Sequence, residues 1–89
     1  MAKKRRKLNK DFEKKIYSSK KDVELVLAKI YDIDDEDIQK EYISAFNRVV
    51  YLYDELKEDY DGQGFTENSE ELLTNYKNAF NLFESEFEI

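Results

Sequence analysis

Cysteine and histidine are both missing from these 89 residues, and the two absences remove most familiar chemistry. Without cysteine there is no disulfide framework and no thiolate metal site, so nothing in the chain depends on an oxidising compartment. A cytoplasmic setting, or the inside of a virion, is the expected one. Without histidine the chain lacks the usual general base near neutral pH, the usual activator of a serine nucleophile and the commonest metal imidazole. Carboxylates, tyrosines, lysines and arginines remain, but a carboxylate pair needs a water-excluding cleft to separate its pKa values, and short helices rarely build one. The expectation is a binding protein that is not an enzyme.

Proline is absent too, and Gly62 and Gly64 are the only glycines. Helices can therefore run long, with one strong break expected near residues 61–65. No run of about 18 apolar residues occurs, and the basic start is not followed by the apolar stretch of a secretory signal; no membrane partner and no export by that route are expected. A chain of this length hides only about 60% of the surface its unfolded form exposes, which allows one domain and a modest core.

Charge is what the chain has in excess, and it is unevenly placed. Residues 1–21 carry ten Lys or Arg against Asp11 and Glu13, a balance of +8, whereas residues 22–89 hold five basic groups against nineteen acids, a balance of −14. Lys3 to Lys7 reads KKRRK. Lys3, Lys4, Arg5, Arg6, Lys7 and Lys10 are the candidate nucleic-acid contacts, because each phosphate neutralised releases condensed counterions and gives salt-dependent affinity without reading bases. No aromatic is interleaved with the KKRRK run to stack on a base. The same run also reads as a solvated, self-repelling tail, or as an arm that docks on an acidic protein surface, this chain's own body included. Its five residues resemble a monopartite nuclear localisation signal, which has meaning only in a eukaryotic host. The Lys-, Asp-, Asn- and Tyr-rich composition instead fits an AT-rich bacterial or phage gene. Residues 1–8 are expected to be a flexible basic arm and residues 9–89 a single helical domain.

Along that domain, Asn9 to Tyr17 can form a short helix with Phe12 and Ile16 on one side. Ser19 and Asp22 have the spacing of a capping box, and Val23, Val26, Leu27 and Ile30 follow at i, i+3, i+4 and i+7. This predicts a helix over 19–31, either separate from the first piece or fused with it; alternation of Val23, Leu25 and Leu27 leaves a strand as the lesser option. Asp34 is the next cap, with Asp35, Glu36 and Asp37 on the first turn and Ile33 stapled onto Ile38, so a helix is predicted from residue 34 or 35. Capping accounts for the acids at 32–37 without a metal. At 100° per residue, Ile38, Tyr42, Ala45, Phe46, Val49, Leu52, Tyr53, Leu56 and Tyr60 share one face, widened by Ile43 and Val50. Thr66, Asn68 or Ser69 can cap a last helix with the stripe Leu72, Tyr76, Ala79, Phe80, Phe83 and Phe87. The fold expected is all-α: a small up-down-up three-helix bundle, four with a short N-terminal helix, centred on the middle helix.

Residues 59–70 read DYDGQGFTENSE and resemble the calcium loop of EF-hand proteins, where ligands come from positions 1, 3, 5, 7, 9 and 12 around a glycine at position 6. The resemblance implies Asp59, Asp61 and Gln63 as the first three ligands, the Phe65 carbonyl as the fourth, Glu67 acting through water, and Glu70 closing the site, with Gly64 at the bend. An ordinary helix–helix turn with a left-handed glycine is the other reading. The expectation is no cofactor, with Ca2+ as the alternative.

Seven tyrosines and six phenylalanines fall mostly on the helix stripes, where packing explains them. Leu25 and Tyr51 fall off the stripes and are candidate anchors for a protein partner or a second copy of the chain. The expected function is that of an accessory protein, phage or mobile-element encoded, which docks on a protein through its acidic helical body while the basic arm contacts nucleic acid in a virion or nucleoprotein assembly. One alternative is a calcium-binding module. Another is an acidic nucleic-acid mimic that inhibits a nucleic-acid enzyme, a resemblance of charge and size alone.

Overall fold

The structure, a computed structural model, describes residues 7–87. Three helices follow one another: α1, Lys10–Tyr31; α2, Glu36–Gln63; and α3, Ser69–Glu86. Buried or half-buried side chains recur at 12, 16, 19, 23, 26 and 30 in α1, at 42, 46, 49, 53, 56 and 60 in α2, and at 69, 73, 76, 80, 83 and 87 along α3 and its C-terminal cap. All three rows alternate steps of four and three, the spacing that keeps one seam of a helix facing a neighbour laid nearly parallel or antiparallel to it. The all-α bundle expected from the sequence is the fold observed.

α1 is one helix, because Asn9 caps it and nothing breaks it afterwards. The Asn9 side chain accepts the Phe12 N–H at 3.0 Å, and neither Gly nor Pro interrupts the next 22 residues. Ser19 is therefore not a cap, and the strand option does not arise. Ser19 is buried in mid-helix, where its Oγ donates to the Lys15 carbonyl at 2.8 Å, the back-bond open to serine inside a helix.

The cap of α2 lies one residue beyond Asp34. Asp35 holds the cap, its Oδ1 accepting from the N–H groups of Asp37 (2.9 Å) and Ile38 (3.1 Å). With that shift Ile38 turns outward and is 44% exposed, so the staple onto Ile33 does not supply the junction. Gln39 supplies it instead: its amide reaches the carbonyls of Ile30, Tyr31 and Ile33 at 3.2–3.4 Å, satisfying acceptors that the end of α1 leaves open.

α2 ends at Gly64, whose φ of 76° only glycine adopts at little cost. α3 then begins without a side-chain cap from Asn68; the Ser69 Oγ accepts the Thr66 N–H at 2.8 Å, and the Thr66 hydroxyl accepts the Asn68 N–H at 3.2 Å. Because Ser69 itself opens the buried seam, the next buried position is Leu73, and Leu72 is only half-buried.

α1 and α3 both run antiparallel to α2. At one end Tyr60 meets Asn9 and Glu13, and at the other Gln39 meets Ile30. Ring contacts Tyr42–Phe87 (4.8 Å), Phe46–Phe83 (4.8 Å) and Tyr53–Tyr76 (6.0 Å) zip α3 onto α2. α1 contributes mainly aliphatics to the core, Ile16, Val23, Val26 and Ile30, together with Phe12, which packs edge-on against Phe65. Between α1 and α3 runs an open groove of about 1040 Å³, bordered by Lys15, Leu25, Val26, Lys77, Phe80 and Phe87 among others.

Candidate nucleic-acid interface

Of the six basic residues singled out in the sequence, Lys3, Lys4, Arg5 and Arg6 lie outside the described residues. Lys7 and Lys10 are exposed. The main chain at Lys7 takes part in the fold: its carbonyl accepts the Phe65 N–H at 2.6 Å, and Lys7 bridges in parallel to Gly64. Two residues on, the Tyr60 hydroxyl accepts the Asn9 N–H at 3.1 Å and donates to the Glu13 carboxylate. The basic segment thus enters α1 at a fixed place, where α2 turns into α3.

From there the basic character continues down the helix. With one face of α1 buried, the opposite face is set by the same periodicity, and Lys10, Lys14, Tyr17 and Lys21, at steps of four, three and four, share it. All four are exposed, and at 1.5 Å per residue the row spans roughly 16 Å. Lys15 and Lys20 flank it, exposed as well. Among the described residues the one ion pair is Lys57–Asp61, on α2; Glu13, Asp11 and Glu24 stand three positions from Lys10, Lys14 and Lys21 on α1 without forming ion pairs with them. Tyr17 is 59% exposed, and the Lys21 ammonium lies 4.9 Å from its ring centroid. Beside it, between α1 and α2, is a recess of about 270 Å³ lined by Ile16, Tyr17, Lys20, Tyr53 and Lys57 among others.

The electrostatic contrast between helices is large. α1 carries Lys10, Lys14, Lys15, Lys20, Lys21 and Lys29 against Asp11, Glu13, Asp22 and Glu24. α2 and α3 carry twelve acids against Lys40, Arg48, Lys57 and Lys77. Burial pushes the Tyr53 hydroxyl up from its ordinary pKa and that of Tyr76 up to about 12; the hydrogen bond to Asp61 raises that of Lys57. All three groups keep their neutral-pH charge, and none is poised for proton transfer near pH 7.

The run resembling a calcium loop is divided differently. The resemblance requires a loop from Asp59 onward, but α2 continues to Gln63, since Tyr60 occupies a buried seam position and the chain turns only at Gly64. In a helix Asp61 faces away from Asp59 and Gln63. Gln63 donates to Asp59 at 3.1 Å, and Asp61 pairs with Lys57. Phe65 and Glu67 lie in the turn and Glu70 in the first turn of α3. Among the described residues no three acidic side chains are placed to hold an ion together.

Leu25 and Tyr51 are exposed, at 57% and 65%, on different surfaces. Leu25 borders the α1–α3 groove, whereas Tyr51 lies on the side of α2 opposite its seam. Lys14, Tyr17 and Lys21 are candidate residues that charge clustering alone does not single out. Periodicity carried through Ser18 without a break would have found them. Among the described residues no helix is long and apolar enough to cross a membrane. Comparisons with protein-family models, with curated proteins and with solved structures return no match to this chain.

Proposed function

We propose that this chain is a non-enzymatic accessory protein that contacts nucleic acid through a basic track running from Lys3, Lys4, Arg5, Arg6 and Lys7 onto the outer face of α1, while its acidic α2–α3 body docks on a protein. A virion or another nucleoprotein assembly of a phage or mobile element is the setting such a bipolar chain suits. The observation that carries the reading is the row Lys10, Lys14 and Lys21, exposed and without an ion pair among the described residues, on the one helix with more basic than acidic groups. A phosphate backbone meets such a row by counterion release, with affinity falling steeply as salt rises. The acids of α2 and α3 repel the same backbone, so contact is confined to one side, and the other side is left for a partner with basic groups at its surface. Tyr51 is the exposed aromatic available there.

Replacement of Lys3, Lys4, Arg5, Arg6 and Lys7 by glutamine tests the track at its start. Binding to labelled DNA and RNA at low salt should weaken strongly and its salt dependence should flatten, while helicity by circular dichroism is unchanged. No binding of the intact protein to either polymer at low salt overturns the reading.

A further inference from the structure

We infer that the track is built for a single strand, with an unstacked base placed on Tyr17 and the neighbouring phosphates on Lys10, Lys14 and Lys21. This rests on the reading just given and names the form of nucleic acid it takes. Tyr17 is not one of the core residues: it is more than half exposed, and the ammonium of Lys21, itself part of the row, lies against its ring. An aromatic side chain set in a row of lysines supplies what charge alone does not, a flat face on which a base stacks whatever its sequence. A duplex keeps the faces of its bases stacked inside and offers a ring only groove edges and phosphates unless a nucleotide is turned out at a cost. A single strand presents both at once.

The surroundings of Tyr17 fit that occupant. The ring forms one wall of the recess of about 270 Å³ between α1 and α2, whose other walls include Ile16, Tyr53 and Lys20 together with two carboxylates already engaged, Glu13 by the Tyr60 hydroxyl and Asp61 by Lys57. A base lying on Tyr17 has this partly apolar hollow at its edge, and Lys14, one turn before Tyr17, and Lys21, one turn after it, stand where the phosphates on either side of that base would lie. The row of lysines alone would serve a duplex or a strand equally; the exposed ring and the hollow beside it separate the two.

The test compares a labelled oligothymidylate with a duplex of equal length, bound by the intact protein, by Tyr17→Ala, by Tyr17→Phe and by the triple variant Lys10→Gln, Lys14→Gln, Lys21→Gln. The single strand should bind more tightly than the duplex. Tyr17→Ala should lose roughly tenfold in single-strand affinity with an unchanged salt slope, and Tyr17→Phe should keep it. The triple variant should flatten the slope for both polymers. If Tyr17→Ala binds the strand as the intact protein does, or the duplex binds as tightly as the strand, the single-strand inference is wrong and the polyanion track stands; if neither polymer binds at low salt, both fall.

Discussion

The three buried tyrosines of the seams, Tyr53, Tyr60 and Tyr76, have hydroxyls with different fates. Tyr60 accepts from the Asn9 N–H and donates to Glu13, fixing the chain where it enters α1. Tyr76 donates to the Ser19 carbonyl at 3.2 Å, linking α3 to α1. The Tyr53 hydroxyl is buried without a partner among the described residues. A made hydrogen bond contributes about 1 kcal/mol net, and an unmade buried one costs at least as much. Tyr60→Phe should therefore destabilise by about 1–2 kcal/mol and Tyr76→Phe by about 1 kcal/mol, whereas Tyr53→Phe should be neutral or stabilising. Urea midpoints of the three variants decide the order. Tyr76 also sets the behaviour in alkali. Its folded pKa, pushed up by burial to about 12, lies above the unfolded value of about 10, so its contribution is complete below pH 10 and is lost as pH rises towards 12. Stability should fall over that window at about 1.4 kcal/mol per pH unit for this one group, with Tyr53 adding in the same direction. In Tyr76→Phe the decline should be shallower.

At the scale of the helices, the two glycines have opposite roles. Gly64 adopts φ 76° and ψ −158° at the end of α2, and the following amide bonds to Lys7; Gly62 lies inside the helix with open space where a Cβ would stand. Gly62→Ala should stabilise by about 0.5–1 kcal/mol through helix propensity, and Gly64→Ala should destabilise by about 1–3 kcal/mol through backbone strain. Thermal denaturation of the two variants measures both. How much of this was legible in the sequence follows the same lines. The break at 61–65, the acidic start of α2 to within one residue and the seam of α2 all followed from periodicity and capping chemistry. Ser19 misled because serine with an acid three residues later has the same spacing at a cap and inside a helix, and only Asn9, ten residues upstream, decides which it is. Leu73 was missed because Ser69, a small polar residue, does not mark itself as the first buried position of α3. A break of α1 at Ser19 also separates the candidate residues: charge alone points to Lys7 and Lys10, but Lys14, Tyr17 and Lys21 fall in line with Lys10 only along an unbroken helix. The resemblance at 59–70 rested on residue order, and order does not say that Tyr60 must stay helical to reach its seam.

The whole molecule is long for its size. Its extents are 57 × 21 × 18 Å and its radius of gyration is 15.3 Å, against about 12 Å for a compact chain of this length. The 28 residues of α2 account for about 42 Å of that length, and α1 and α3 lie along α2 with the groove open between them. α1 thus presents Lys10, Lys14 and Lys21 along its outer face on one side of α2, while α2 and α3 carry twelve acids.

Amide chemical shifts recorded while a short oligothymidylate is added at low salt test this arrangement most directly. Shifts concentrated at Lys7, Lys10, Lys14, Tyr17 and Lys21 that disappear as salt is raised are the result expected from a track along α1. Shifts confined to the acidic outer faces of α2 and α3, or none at all, would contradict it.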